Sequence, residues 1–252
     1  MIPQSVITRC RLRREAVGRG ASGPATGSGP VRAYERTGTR MRYAGAMART
    51  TEDERTPVAG LLLAAGGGRR LGGRPKALLE YRGTPLVERA ARELLAGGCA
   101  PVHVVLGAEA ARVRARTDLT ALTGHEPLTN PDWAQGMGSS LRAGLRELAG
   151  SGASAALVML VDQPGMGAEA VARVLAAHRA GADLVAASYE GRRGHPVLFG
   201  AARWPEVAAS ATGDRGARAY LRAHAEEITL VECADVAAPD DIDTPEDLAL
   251  LE

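Results

Sequence analysis

The sequence has almost no lysine. Of its 31 basic residues only Lys76 is a lysine, and the rest are arginines. Aromatic residues make up 3%, with a single phenylalanine, so Leu, Val and Ala must fill the core that a 45% hydrophobic content allows. The three cysteines, Cys10, Cys99 and Cys233, are isolated, without CxxC or Cys/His ligand spacing. That argues against a disulfide framework or a zinc site and fits a reducing compartment, so a cytoplasmic location is expected. The N-terminus lacks an apolar signal core and no run approaches the ~20 residues of a membrane span. No Ser-His-Asp or Cys-His arrangement is suggested, and covalent catalysis is not expected.

Charge is unevenly spread. Residues 1–55 hold 11 arginines against five acids, whereas the remainder holds 20 basic and 24 acidic residues. The folded part is mildly acidic, which leaves no nucleic-acid footprint. Residues 1–55 are rich in Arg, Gly, Ser, Thr and Pro without hydrophobic period, so they are expected to form a disordered basic extension. A tethering tail, or a true start at Met41 or Met47, are the alternatives. Residues 56–252 are expected to form one domain.

From Thr56 the pattern changes. Largely apolar runs at Val58–Ala64, Pro101–Leu106, Ala155–Val161 and Asp183–Ser188 read as buried strands. Shorter strands are expected at Leu78–Tyr81, Glu126–Thr129, His195–Phe199 and Ile228–Val231. Leu86, Val87, Ala90, Ala91, Leu94 and Leu95 recur at helical spacing, and Gly97-Gly98 stops that helix. Further helices are expected over Ala108–Arg116, from Gly136 through Leu148, around Ala168–His178, near Arg215–His224, and after Asp243-Thr244-Pro245-Glu246. Apolar strands alternating with amphipathic helices imply an α/β fold with a mostly parallel sheet covered on both faces. Ligands then sit beyond the carboxyl ends of the strands.

Two chemically loaded features fall at such ends. Val58–Ala65 runs into Gly66-Gly67-Gly68, followed by Arg69, Arg70 and a second pair, Gly72-Gly73, before Pro75-Lys76. Glycines let backbone N–H groups approach an anion, and the single lysine of the chain stands beside them. Asp162 follows the third apolar run. The dinucleotide pattern G-x-G-x-x-G fails from Gly66 because position 71 is Leu, and the P-loop pattern fails because Arg74 follows Gly73 and no hydroxyl follows Lys76.

The stretch Leu63-Ala-Ala-Gly-Gly-Gly-Arg-Arg-Leu-Gly-Gly-Arg-Pro-Lys76 resembles the L-A-A-G-x-x-x-R-[LM]-G…K signature of the MobA-like NTP transferases, most closely the molybdenum cofactor cytidylyltransferases. One departure is that three residues, rather than two, separate Gly72 from Lys76. Asn130–Leu145, Leu160–Pro164, Gly194–Phe199, Gly213–Arg218 and Asp241–Leu248 extend the resemblance over residues 57–252. It implies a three-layer, Rossmann-like nucleotidyltransferase domain that moves CMP from CTP to a phosphorylated acceptor, molybdopterin first, releasing pyrophosphate. A molybdoenzyme that receives the cofactor would be the protein partner. A guanylyltransferase, or transfer to another small phosphate, is the alternative within the class. An NAD(P)H-dependent oxidoreductase of the nicotine-blue type is the alternative outside it.

By the same resemblance, Leu63, Ala64, Ala65, Gly66, Gly67 and Gly68 would cradle the nucleotide, and Arg70 and Lys76 would neutralise charge at the reacting phosphates. Asp162 and Asp243 would hold Mg²⁺, which takes one or two carboxylates plus phosphate oxygens. Asp162 also reads as a strand-end cap, Asp243 as a helix N-cap, and Asp241 competes with Asp243 for the metal. Gly138, Ser139 and Ser140 would meet the nucleoside, or simply cap a helix. His195, before Pro196, reads as a substrate contact or as an internally satisfied side chain.

Overall fold

The computed structural model describes residues 56–252, so the basic extension and the alternative starts lie outside the described residues. Nine strands are formed there: β1 Val58–Ala64, β2 Glu80–Tyr81, β3 Thr84–Pro85, β4 Val102–Leu106, β5 Leu128–Thr129, β6 Ala155–Leu160, β7 Leu184–Tyr189, β8 Arg192–Gly200 and β9 Thr229–Glu232. The helices are α1 Leu86–Ala96, α2 Ala110–Arg116, α3 Leu119–Thr123, α4 Met137–Leu148, α5 Ala168–Arg179, α6 Trp204–Ser210 and α7 Arg218–Ala223.

Seven strands make one sheet in the order β5-β4-β1-β6-β8-β7-β9, in which β8 alone runs against its neighbours. β1 is central, flanked in parallel by β4 and β6, and every one of its residues is buried. Its unbroken apolar run follows from having helices on both faces. Alternate residues feed two cores. Leu62 packs with α1 and α5 through Val87, Leu94, Val171 and Leu175, while Leu61 and Leu63 pack with α4 and α6 through Leu141, Leu145 and Val207. The result is the expected three-layer α/β architecture with a mostly parallel sheet.

Several local expectations are corrected. Leu78–Tyr81 is not one strand: a 3₁₀ turn, Lys76–Leu78, precedes the two-residue β2, which forms a tight hairpin with β3 through Arg82 and Gly83 at positive φ. β8 begins at Arg192, because residues 192–193 pair with the end of β7. The helix expected after Asp243 is a 3₁₀ helix, Glu246–Leu251. α3 and α6 have no counterpart in the periodicity, and α6 begins with a proline in its first turn, a residue that reads as a breaker but fits there.

The carboxyl ends of β1, β4, β6 and β7 share one edge of the sheet, and antiparallel β8 brings its amino end, Arg192–His195, to the same edge. The chain returns to it once more. After β9, Ala238 donates its N–H to the Gly165 carbonyl and Ile242 to the Asp162 carbonyl, and the Ile242 side chain is completely buried.

Candidate functional site

At the end of β1 the Ala65 carbonyl accepts a hydrogen bond from the Ala108 N–H, and the chain then leaves the sheet. Gly68 adopts φ +58°, and a Cβ there would overlap the Arg74 carbonyl oxygen. The Gly68 carbonyl accepts from Leu71 N–H at 2.8 Å and Gly73 N–H at 3.0 Å, closing the loop on itself. Leu71 turns into the core, while Arg69 and Arg70 stay exposed. Among the described residues, no backbone carbonyl accepts from the N–H groups of Gly66, Gly67 or Gly68. Glycine-rich turns with unpaired backbone donors are of the kind that binds anions.

Lys76 closes the loop and is the centre of an ion cluster. Its Nζ lies 2.6 Å from Asp162 Oδ2 and 2.6 Å from Asp243 Oδ1. Arg70 Nη1 approaches Asp243 Oδ2 at 3.7 Å. The additional residue between Gly72 and Lys76 is absorbed by Gly72 and Gly73, both at positive φ, and Lys76 reaches both carboxylates. Burial acts to lower the Lys76 pKa, but Asp162 and Asp243 outweigh it and hold the group above its ordinary value.

The pairing of Asp162 with Asp243, 81 residues apart in sequence, is made by the tail. The Ile242–Asp162 backbone bond sets the two aspartates side by side. Asp243 does not cap the final turn. Instead Asp247 Oδ2 accepts from the N–H groups of Asp243 and Thr244 at 2.9 and 2.7 Å. Asp241 points elsewhere, accepting a hydrogen bond from Gln163 Nε2 at 2.8 Å. Burial first, then repulsion from Asp162 and Asp243, raises the Asp241 pKa. Among the described residues, no group of three or more His, Cys, Asp or Glu is arranged to hold a metal ion, and Asp162 and Asp243 share the Lys76 ammonium.

Gly138, Ser139 and Ser140 begin α4, and both serines are buried. Their hydroxyls are spent internally. Asn130 Nδ2 donates to Ser139 Oγ at 2.8 Å and to Ser140 Oγ at 3.0 Å, and the single Ser139 O–H has the carbonyls of Asp132 and Gly136 both within reach as acceptors. This network fixes the approach to α4. It also fixes Trp133, whose ring packs on Gly67 and whose Cβ leaves no room for a side chain at Gly107. His195 Nδ1 lies 3.4 Å from the Val158 carbonyl, and burial pushes its pKa down. The ring lines a cavity of about 800 Å³ next to the ion cluster.

Asn130, Trp133 and Gln163 belong to the site without having been singled out from sequence. Asn130 and Trp133 lie in a stretch that the family resemblance spans, and that was the available signal.

Comparison with known proteins bears on the family and the fold. The family model of the MobA-like NTP transferase domain matches residues 60–228. The nicotine blue oxidoreductase of Paenarthrobacter nicotinovorans is 44% identical over 198 residues, covering 76% of this chain and 94% of that protein. The crystal structure of Rv0371c from Mycobacterium tuberculosis H37Rv in complex with manganese is 27% identical, with a TM-score of 0.63 over 78% of this chain and 98% of that one. A nucleotidyl transferase from Methanothermobacter shares the fold at 22% identity, with a TM-score of 0.61 over 77% of this chain and 96% of its own. The glycine loop after the central strand, the sheet order and the extent of the match lead to one assignment: the chain belongs to the MobA-like NTP transferase family.

Proposed function

We propose that this chain is a nucleotidyltransferase that moves CMP from CTP to a phosphorylated acceptor, with molybdopterin the leading acceptor and pyrophosphate the leaving group. The observation that carries the reading is the Lys76 ammonium, held beside a loop of unused backbone donors and bridging two carboxylates from distant segments. In an in-line displacement at the α-phosphate, an acceptor phosphate oxygen forms the new P–O bond as the bond to pyrophosphate breaks. The protein then contributes positioning and charge neutralisation. The backbone of Ala65–Gly68 cradles the triphosphate. Lys76 and Arg70 offset the charge that builds on the α-phosphate and on the departing pyrophosphate.

The residues fit a divalent cation: Asp162 and Asp243 present hard oxygen donors to one cationic atom, and the excess carboxylate charge around them is already felt by Asp241. Mg²⁺ held there would supply Lewis-acid neutralisation of phosphate oxygens, and the complex of the mycobacterial relative with manganese supports a metal in this family. Preference for CTP rests on Ala65, where relatives that use GTP tend to carry Gly. A molybdoenzyme receiving the finished cofactor is the partner this reading implies.

A pyrophosphate-release screen tests it, with CTP, GTP, ATP and UTP against molybdopterin and simple phosphates in the presence of Mg²⁺. Release with CTP and molybdopterin is expected, and no release with any pair refutes transfer. One specific observation favours a second reading: the 44% identical relative is a nicotine blue oxidoreductase and is covered almost end to end. Following NAD(P)H oxidation with nicotine blue in the same preparation separates the two. Oxidation without pyrophosphate release would select the reductase.

A further inference from the structure

The segment Gly213–Arg218 has no role in the nucleotide chemistry above, yet its docking is tightly constrained. Gly136 and Gly138, at the start of α4, lie against it. A Cβ on Gly136 would strike Gly213 and Asp214, and one on Gly138 would lie 2.7 Å from Thr212 N. Gly216 takes φ +50° and ψ −128° against Met137, a conformation reserved for glycine. Arg142 of α4 fastens the segment from the other side by donating to the Ala211 carbonyl. What this clamp presents is a pair of arginines, Arg215 and Arg218, in the wall of the 800 Å³ cavity.

Arg192 and Arg193, from the amino end of antiparallel β8, join them in that wall. Among the described residues, none of the four has a carboxylate within ion-pairing distance, unlike Arg92, Arg173 and Arg203, whose charges are matched. Their charge is therefore uncompensated, although Glu190, Asp240 and Asp241 also border the cavity. Arg193 donates to the Leu221 carbonyl, and Arg193 and Arg218 lie near enough to His195 to lower its pKa further.

Behind this rim the cavity is apolar. Leu160 and Val197 form its floor on the face of the sheet, and Met137, Leu141 and Leu221 approach from the helix layer. An apolar floor between the sheet and the helices suits the ring body of a ligand whose charge meets the arginine rim.

We propose that this cavity is the acceptor site and that Arg215 and Arg218 are its anion grip, selecting a ring system that carries a phosphate or carboxylate. The word acceptor rests on the nucleotidyl-transfer reading; the ligand class rests on the cavity alone. The probes are the fluorescent 6-carboxypterin and its uncharged counterpart 6-methylpterin, titrated into the full chain without nucleotide, with CTP binding measured in parallel. Carboxypterin is expected to bind at least about tenfold more tightly, the scale of one charge-assisted hydrogen bond.

That advantage should vanish in Arg215→Ala/Arg218→Ala, return in part in Arg215→Lys/Arg218→Lys, and survive in Lys76→Ala. The double alanine variant should still bind CTP. The proposal is overturned if neither pterin binds saturably, if the charged probe gains nothing over the neutral one, or if the alanine pair abolishes CTP binding. The last outcome would return the arginines to the triphosphate. Carboxypterin binding to a protein that binds no nucleotide would instead remove the transferase reading and leave the cavity assignment standing.

Discussion

Replacing Lys76 with alanine removes the one cation that, among the described residues, touches both site carboxylates, and the structure sets the size of the effect. A hydrogen bond to a charged group contributes about 1.5–3 kcal/mol when sheltered, which applies to the bond that Lys76 donates to Asp162, whose side chain is 19% exposed. Asp243 is 48% exposed, so its bond is worth less than about 1 kcal/mol after solvent screening. The desolvation of the ammonium, which the variant no longer suffers, offsets part of this. Mutual repulsion of the two carboxylates adds to the loss. The net expectation is about 2–4 kcal/mol at neutral pH without divalent cations, or a fall of roughly 5–15 °C in melting temperature for a domain of this size.

A divalent cation should reverse the loss. Binding at 100 times Kd contributes about 2.7 kcal/mol, and the variant has both carboxylates free to take it. Calorimetry of wild type and Lys76→Ala, with and without saturating Mn²⁺, measures both steps, and Lys76→Met controls for the lost aliphatic stem. Transfer activity should fall about 10²–10³-fold even in the metal-stabilised variant, because the charge facing the phosphates is gone. A variant that melts with wild type in the absence of metal, or gains no more from Mn²⁺ than wild type does, would refute the ion cluster as described.

Three other outcomes are expected. Gly68→Ala places a Cβ into the Arg74 carbonyl at a positive φ and should cost more than about 1–2 kcal/mol, with nucleotide affinity by calorimetric titration lost while far-UV circular dichroism is kept. Asn130→Leu leaves the hydroxyls of Ser139 and Ser140 without their common donor inside the protein, and urea denaturation should show a loss of about 1–3 kcal/mol. Asp241 has a raised pKa in the fold, so the folded state holds its proton more tightly than the unfolded state does. Its ionisation costs stability above the folded pKa, and the cost disappears below the unfolded one. Asp241→Asn should therefore raise the melting temperature at pH 7, with the gain shrinking as pH falls towards the ordinary carboxylate range; a gain independent of pH would show that another cause operates.

Local patterning made much of this legible. The apolar runs of β1, β4, β6 and β7, the 3.6-residue spacing of α1 and the position of Asp162 at a strand end all follow from burial on two faces, which a sequence displays directly. The second carboxylate was legible only by resemblance. Nothing local distinguishes Asp243 from Asp241, and what decides between them is a backbone bond from Ile242 across the sheet edge. Ser139 and Ser140 stood at a helix start in sequence, but their hydroxyls turn inward because Asn130, nine and ten residues earlier, supplies their shared donor. The start of β8 was hidden because arginines open it, and the last helix was legible because a Pro after Asp-Thr marks a helix start, a signal that does not distinguish α from 3₁₀.

The tail that brings Asp243 to Lys76 also sets when the site comes into being. Lys76 and Asp243 are separated by 167 positions, and β1, β4 and β6 are all synthesised well before the tail. Domains fold as they emerge from the ribosome, so a nascent chain can assemble its central strands and glycine loop while the cluster still has one carboxylate. A fragment that ends between β9 and Asp243, whether from interrupted translation or from a protease cut, contains every strand of the sheet but has a lysine facing Asp162 alone. Competence is thus conferred by the last residues to dock, and an intact sheet is no guarantee of an intact site.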